Sequence, residues 1–360
     1  MKKITILIIL PSLAGGGAEK VTLSLIENLD KNDFNCLLTL INSKGPLEPK
    51  INNKQIFDLG IQRFRFAFPV LIKNIIAIKP DVIFSTFPHI TLPILLIRKL
   101  LPIRPIIISR EPNMVNLSLK YSSFSFILKN LHKLLLPTAD KVIVNSSAMY
   151  NDLNKKGLDK NKLLLVHNPV DDLKIRKINN FIRHPGEGLR LISMGRLVYQ
   201  KGFDRIIPIL KNLNNVHLTI LGDGPEYNNL IKLVKELHLE SKVKFLGYSK
   251  NSNNYIAAAD YFILPSRWEG FPNVVLESLV LGTPVLSFKE VEGLFDIIPN
   301  VDKNKLYLCK NENDMKYLLK KLPIRDDYKS LILRKNLLKK YNTPLNYSKI
   351  ISKSIKEILL

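Results

Sequence analysis

Short apolar runs alternate with segments of helical periodicity along almost the whole chain. ITILIIL (4–10), FNCLLTLI (34–41), DVIFSTF (81–87), RPIIISR (104–110), KVIVNS (141–146) and KLLLVHN (162–168) are rich in β-branched residues and read as strands. Between them, AEKVTLSLIENL, FPVLIKNIIAIK and YSSFSFILKNLHKLLL place apolar residues three and four apart, which predicts helices. The strand segments are continuously apolar rather than alternating, so they predict a parallel sheet covered on both faces. A polar stretch at 171–188 interrupts the pattern, which then restarts with LRLISMG, VHLTILG, KVKFLGY, DYFILPS and PVLSF. The reading is α/β: two tandem doubly wound, Rossmann-like domains, at 1–180 and 181–335, facing a cleft. A basic helix at 336–360 is placed to pack back on the first domain. The start of the chain, MKKITILIIL, has the basic and apolar character of a signal peptide. The helix that follows at once favours a buried first strand instead.

Composition narrows the chemistry. The 360 residues hold 54 Lys+Arg against 31 Asp+Glu, a formal charge of +23. Such an excess attracts anionic partners: nucleic acid, phospholipid or a phosphorylated substrate. It is uneven, since 60–139 holds eleven basic residues and two acids, Asp81 and Glu111. The segment 117–141 joins apolar residues to Lys120, Lys129, His132 and Lys133. It reads as a helix resting on an anionic membrane, against the plainer reading of a core helix with a solvated face. No stacking-aromatic or recognition-helix pattern accompanies the charge, so nucleic acid is not expected. Cys36 and Cys309 lie far apart with no disulfide framework or metal spacing, as in a reducing compartment. No apolar run reaches the roughly 20 residues a spanning helix needs.

Three loops carry candidate chemistry. SRWEGFPNVVLESLVLGTPVLS (266–287) follows a strand and opens a short helix, with Asn273 as the expected N-cap and Gly282 at the end. Glu269 lies before the helix and Glu277 within it. Each acid taken singly is an ordinary loop or helix carboxylate. Together they can serve two parts of one polyhydroxyl ligand, beside helix-start N–H groups suited to phosphate. MGRLVYQKGFD (194–204) presents Arg196 and Lys201 after the first strand of the second domain, two cations suited to a diphosphate. PSLAGGGAEK (11–20) is a glycine turn between strand and helix. As a dinucleotide fingerprint it is broken, because Lys20 stands at the third glycine position.

The 266–287 string resembles the signature of the retaining glycosyltransferases of GT-B fold, family four: Glu, seven residues, Glu, with Gly-Phe-Pro after the first acid. The match is specific in the second domain and weaker in the first. The resemblance implies that Glu269 meets the donor-sugar hydroxyls and Glu277 the ribose. Gly270, Phe271 and Pro272 form the turn, and the backbone at Asn273 and Val274 meets the diphosphate. Gly195-Arg196-Leu197 and Lys201-Gly202-Phe203-Asp204 are similar to a second family element, in which Arg196 and Lys201 neutralise the leaving diphosphate. No Asp-x-Asp pattern occurs, so the expectation is a reaction without a metal or other cofactor. By the same resemblance Gly16 and Gly17 lie beside donor phosphates and acceptor, and the backbone at Gly247 and Tyr248 meets the nucleotide base.

Many relatives carry a histidine at the end of the strand that here reads IIISREPN. This chain has Ser109, Arg110 and Glu111 there. Glu111 is the candidate catalytic substitute, and Arg110 and His89 are acceptor-side candidates. His167 reads as a linker residue, as do Asp171 and Asp172. The resulting expectation is a transferase moving a hexose or N-acetylhexosamine from a nucleoside diphosphate sugar, UDP-linked, to a polyprenyl-diphosphate-linked saccharide. It would work at the cytoplasmic face of the plasma membrane in surface polysaccharide assembly. Two other classes stay open: a nucleotide-sugar-binding module without transfer, and a dinucleotide-dependent oxidoreductase.

Overall fold

The computed structural model describes residues 2–62, 64–114, 117, 125–170, 188–301, 305–324 and 341–359. Lys120, the polar stretch 171–187 with Asp171 and Asp172, and residues 328–340 lie outside the described residues. The chain divides into two compact domains, Met1–Pro169 with Asn342–Leu360, and Val170–Tyr341. The sequence divisions stood at 180/181 and 335/336.

The first domain runs β1 (Ile4–Leu10), α1 (Gly17–Asn28), β2 (Phe34–Leu40), β3 (Ile56–Asp58), α2 (Phe64–Ile78), β4 (Val82–Ser85), α3 (Pro88–Ile97), β5 (Ile106–Glu111), α4 (Ser125–Leu135), β6 (Lys141–Val144), α5 (Ser147–Lys155) and β7 (Leu163–Leu165). Its seven strands lie in the order β3-β2-β1-β4-β5-β6-β7, all neighbours parallel. Ile6, Ile8 and Leu10, on one face of β1, pack in one core with α1, and Leu7 and Ile9, on the other face, are fully buried as well. Such burial on both faces is why these strands are continuously apolar.

The second domain runs β8 (Leu189–Met194), α6 (Phe203–Ile206), β9 (Val216–Leu221), α7 (Tyr227–Glu236), β10 (Val243–Phe245), α8 (Ser252–Ala258), β11 (Tyr261–Leu264), α9 (Asn273–Val280), β12 (Val285–Phe288), β13 (Leu306–Cys309) and α10 (Glu312–Lys321). Its parallel order is β10-β9-β8-β11-β12-β13. Asp260, fully buried, accepts from the Arg190 backbone N–H at 2.7 Å and from its guanidinium at 2.9 and 3.0 Å. That ties the start of β8 to the start of β11 and fixes the sheet where its winding reverses.

The last helix, α11 (Pro344–Leu359), belongs to the first domain and packs on α1. Tyr347, Ile351 and Ile355 enter the first core, at the i, i+4, i+8 spacing of one helix face. Ser348 donates to the Asn28 carbonyl at 2.8 Å, and Lys356 pairs with Asp33 at 2.7 Å. Cys36 and Cys309 are free and buried. Burial pushes each thiol up to about 12, so neither supplies a thiolate at neutral pH.

Two strands escape the sequence reading, β3 and β13. They are three and four residues long and lie at sheet edges, where only part of a strand needs to be apolar.

Candidate functional site

In a doubly wound sheet the connections leave in opposite directions from one point, and the loops at the strand carboxyl ends part there to leave a crevice. The second domain reverses between β8 and β11. The loop after β8 carries Arg196 and Lys201, and the loop after β11 carries Ser266 to Pro272.

These loops are held together by several bonds. Lys201 Nζ donates to Glu269 Oε1 at 2.6 Å, and Ser266 Oγ donates to the same oxygen at 2.6 Å. Arg267 donates to both oxygens of Asp204 at 2.8 and 2.6 Å and to the Tyr199 carbonyl at 2.8 Å. Its guanidinium lies 3.9 Å from the centre of the Tyr199 ring. Gln200 donates to the Trp268 carbonyl at 2.9 Å, and its own carbonyl accepts from the Arg267 N–H at 2.8 Å. Gly202 has φ +66, and a Cβ there would stand 2.2 Å from the Pro265 carbonyl oxygen. Only glycine lets the β8 loop turn so near the end of β11.

The Lys201–Glu269 pair defines what the site offers. Glu269 Oε1 is fixed by two donors, while Oε2 has no hydrogen-bond partner among the described residues. The carboxylate is therefore held in one orientation with an acceptor oxygen to spare. Lys201 uses one of three ammonium donors on Glu269. Arg196 is exposed, and its guanidinium has no partner among the described residues. The site thus presents one uncommitted cation, one half-committed cation and one open carboxylate oxygen.

Helix α9 lies behind this pair. Its N-cap is Pro272, without a side-chain cap bond, and Asn273 is the first helical residue. This corrects the expected Asn273 N-cap: proline has no backbone N–H, so one of the four groups a helix start leaves unpaired is missing, and the Asn273 N–H donates to the Phe271 carbonyl at 3.0 Å. Gly270, Phe271, Pro272 and Val274 are buried. A Cβ on Gly293, from the loop after β12, would stand 2.7 Å from the Gly270 carbonyl oxygen, so that loop backs the turn directly. Asn273 and Glu277, four residues apart, are the two positions of α9 that are not buried, and they share one face. The Glu277 carboxylate has no partner among the described residues.

The loop after β9 fits tightly against the loop after β8. A Cβ on Gly222 would stand 2.0 Å from the Gly195 carbonyl oxygen, and one on Gly224 would stand 2.4 Å from that of Leu197. The Gly222 N–H donates to the Gly247 carbonyl at 2.7 Å, which brings the end of β10 into the same row. Tyr248 is exposed beside it.

The first-domain candidates stand at the carboxyl ends of the adjacent strands β1, β4 and β5. Gly16 is the N-cap of α1 and Gly17 its first residue. The Glu19 carboxylate folds back over that start, 2.4 Å from where a Gly16 Cβ would be. The chain thus supplies its own anion to this helix end. His89 is exposed at the head of α3, with the Phe64 and Phe87 ring centres at 5.9 and 5.6 Å. Packing around the imidazole pushes its pKa below the ordinary value.

Arg110 and Glu111 are each 1 % exposed and belong to opposite faces of β5. Arg110 donates to Asn168 at 2.7 Å, and its Nε and Nη1 have no partner among the described residues. Glu111 accepts from Ser109 at 2.8 Å, and its other oxygen lies 3.6 Å from His132 Nε2 of α4. A histidine does stand at the end of this strand, but a helix supplies it. Nothing in the 21-residue separation of Glu111 and His132 signals that meeting. Ser266 joins the site through its bond to Glu269, a role that its place three residues before that acid does not announce. His167 accepts through its carbonyl from Asn342 at 3.0 Å. Among the described residues no group of three or more His, Cys, Asp or Glu is placed to hold a metal ion.

Residues 15–172 match the family described as Glycosyltransferase Family 4, and residues 174–327 that described as Glycosyl transferases group 1. The chain is 41 % identical over 103 residues to the lipopolysaccharide core biosynthesis glycosyltransferase LpsE of Rhizobium meliloti; that match spans 29 % of the chain and 30 % of LpsE. It is 27 % identical over 343 residues to a Campylobacter jejuni protein, covering 89 % of the chain and 91 % of that protein. That relative is named N-acetylgalactosamine-N,N'-diacetylbacillosaminyl-diphospho-undecaprenol 4-alpha-N-acetylgalactosaminyltransferase. The fold is similar to the crystal structure of Anabaena Alr3699/HepE in complex with UDP and glucose, with TM-score 0.71, 17 % identity, and coverage of 98 % of the chain and 100 % of that protein.

Proposed function

The chain belongs to the GT-B glycosyltransferases, its two halves carrying the family 4 and group 1 domains, and from that premise we propose its donor, acceptor and stereochemistry. The donor is a UDP-linked hexose or N-acetylhexosamine. The acceptor is a saccharide on a polyprenyl diphosphate, and the product retains the anomeric configuration. The observation that carries this reading is the Lys201–Glu269–Ser266 cluster, which holds one carboxylate oxygen open beside the Lys201 ammonium.

When the bond from the anomeric carbon to the diphosphate breaks, negative charge grows on the leaving phosphate and positive charge on the sugar ring. Arg196 and the two remaining Lys201 donors meet the first, and preorganised donors act most strongly where charge develops. Glu269 Oε2 holds a sugar hydroxyl, which fixes the ring for attack. The acceptor oxygen approaches the face the phosphate leaves and passes its proton to the departing phosphate oxygen. That geometry yields retention without a protein nucleophile. Neutralisation by Arg196 and Lys201 assigns no step to a metal or cofactor.

The named acceptor of the Campylobacter relative and the UDP in the Anabaena structure support the acceptor and donor classes. An acceptor of this kind places the reaction at a lipid surface, on the cytoplasmic side of the plasma membrane in surface polysaccharide assembly.

Saturation-transfer NMR with UDP, UDP-Glc, UDP-Gal, UDP-GlcNAc and UDP-GalNAc, NADH and a chelator tests the donor. Ribose and sugar signals from one UDP-sugar are the expected result; signals from NADH alone would sink the reading. Glu277→Ala is expected to weaken UDP binding about 10- to 100-fold, the loss of charged hydrogen bonds to the ribose. Titration calorimetry checks it, and unchanged affinity removes Glu277 from the ribose.

A further inference from the structure

Lys201 fixes Glu269 Oε1 at 2.6 Å, and in the proposed reaction it also meets the charge that grows on the leaving diphosphate. An ammonium that alone joined the β8 loop to the β11 loop would loosen both whenever it turned to the phosphate. A different residue does the joining. Arg267, two residues before Glu269, holds the β8 loop on both sides of Lys201. Before Lys201, its backbone N–H donates to the Gln200 carbonyl at 2.8 Å, and its Nη1 donates to the Tyr199 carbonyl at 2.8 Å. Beyond Lys201, Nη1 and Nη2 donate to the two oxygens of Asp204 at 2.8 and 2.6 Å.

These contacts fix orientation as well as distance. A guanidinium forked on a carboxylate is held in one plane, which a single ammonium contact cannot achieve. The hydrogen bonds to Asp204 raise the Arg267 pKa above its ordinary value, so the fork stays charged at any working pH. The Tyr199 ring covers the guanidinium, its centre 3.9 Å away, and the Arg267 side chain is only 20 % exposed. Tyr199–Lys201 form one 3₁₀ turn, left-handed Gly202 closes it, and α6 starts at Phe203. Lys201 therefore ends a turn whose two preceding carbonyls, and whose following helix, are gripped by one residue. The neighbouring Arg205 gives the contrast. It pairs with Glu290 at 2.7 Å and with Glu312 at 2.8 Å, neither of which belongs to the β8 or β11 loop.

We propose that Arg267, braced by Asp204, is a positioning residue for the transfer: it holds the turn that carries Lys201, so that the ammonium stays aimed at the diphosphate while Glu269 stays in place. Ser266 donates to the same Glu269 oxygen at 2.6 Å, so the carboxylate does not depend on the ammonium alone. Such positioning matters because a misplacement of about 1 Å can cost about 10²-fold in rate. The proposal rests on the reading of Lys201 as the diphosphate cation. The contacts that carry it involve no ligand.

The test is a double-mutant cycle of Arg267→Ala with Lys201→Ala in the full chain, read by UDP titration calorimetry. Acetylation of Lys201 by acetic anhydride, followed by mass spectrometry, is measured on the same samples. Arg267→Ala should weaken UDP binding about tenfold, and by less than about twofold where Lys201 is already alanine, because the first residue acts through the second. A general loosening of the domain would weaken binding equally in both backgrounds. Lys201 acetylation in Arg267→Ala should rise about threefold or more against the exposed Lys353, as the released turn opens. Asp204→Asn keeps the side-chain size and the Tyr199 contact, and should move both readouts the same way by less; it decides the matter where Arg267→Ala does not fold. Glu290→Gln breaks an ion pair of the adjacent Arg205 and should move neither. Equal losses of UDP affinity with and without Lys201, or unchanged Lys201 acetylation in the folded variants, would each overturn the proposal. If the parent itself binds no UDP while Arg267→Ala still frees Lys201, the donor reading falls and the hold of Arg267 on the turn remains.

Discussion

Lys201→Ala is expected to lower kcat/KM about 10²- to 10³-fold, the usual consequence of removing one donor aimed at developing charge. The ammonium has two tasks in this site. It faces the place assigned to the leaving diphosphate, and it fixes Glu269 Oε1 at 2.6 Å. Its loss also leaves a buried carboxylate with Ser266 as its hydrogen-bond partner. Breaking a buried pair costs about 3–5 kcal/mol. The Lys201 side chain is 21 % exposed, so solvent screening brings the expected loss nearer about 2 kcal/mol. A second change distinguishes the tasks: Lys201→Ala with Glu269→Gln removes the uncompensated charge. The double variant should regain most of the melting temperature and none of the turnover. If Lys201→Ala keeps parental kcat/KM while folded, the diphosphate clamp is wrong.

Gly202→Ala should damage the same site through the backbone. Alanine in the left-handed region costs about 1–2 kcal/mol. Its Cβ would also press on the Pro265 carbonyl at 2.2 Å, so the β8 loop must retreat from the β11 loop. That retreat pulls Lys201 from Glu269. The expected outcome is a melting temperature lower by roughly 2–4 °C per kcal/mol lost. Donor affinity should fall with it, although no group that touches the donor has been replaced. Thermal unfolding and UDP titration check both, and a parental melting temperature would show that the close approach is not essential.

Much of the fold is legible in the sequence because buried parallel strands must be apolar throughout. The runs at 4–10, 34–41 and 216–222 hold β1, β2 and β9 with boundaries off by at most one residue. The edge strands β3 and β13 leave no such run. The Glu269 and Glu277 spacing is equally readable, since a turn and an eight-residue helix fix it locally. The committed oxygen of Glu269 is not readable, because it depends on Lys201, 68 residues away.

The sequence by itself determined the alternation of elements, the loop that carries two acids and the segment with unbalanced charge. Each is a short-range property, set by helical or strand period and by residue type. The tertiary structure alone decided which loops meet. Strand order places the reversal between β8 and β11, and so joins Lys201 to Glu269. It also sets His132 against Glu111, buries that acid and commits Asp81 to the Thr5 N–H, leaving α2, α3 and α4 with cations and bare apolar side chains. Such pairings follow from the order of strands in a sheet, which no local spacing encodes.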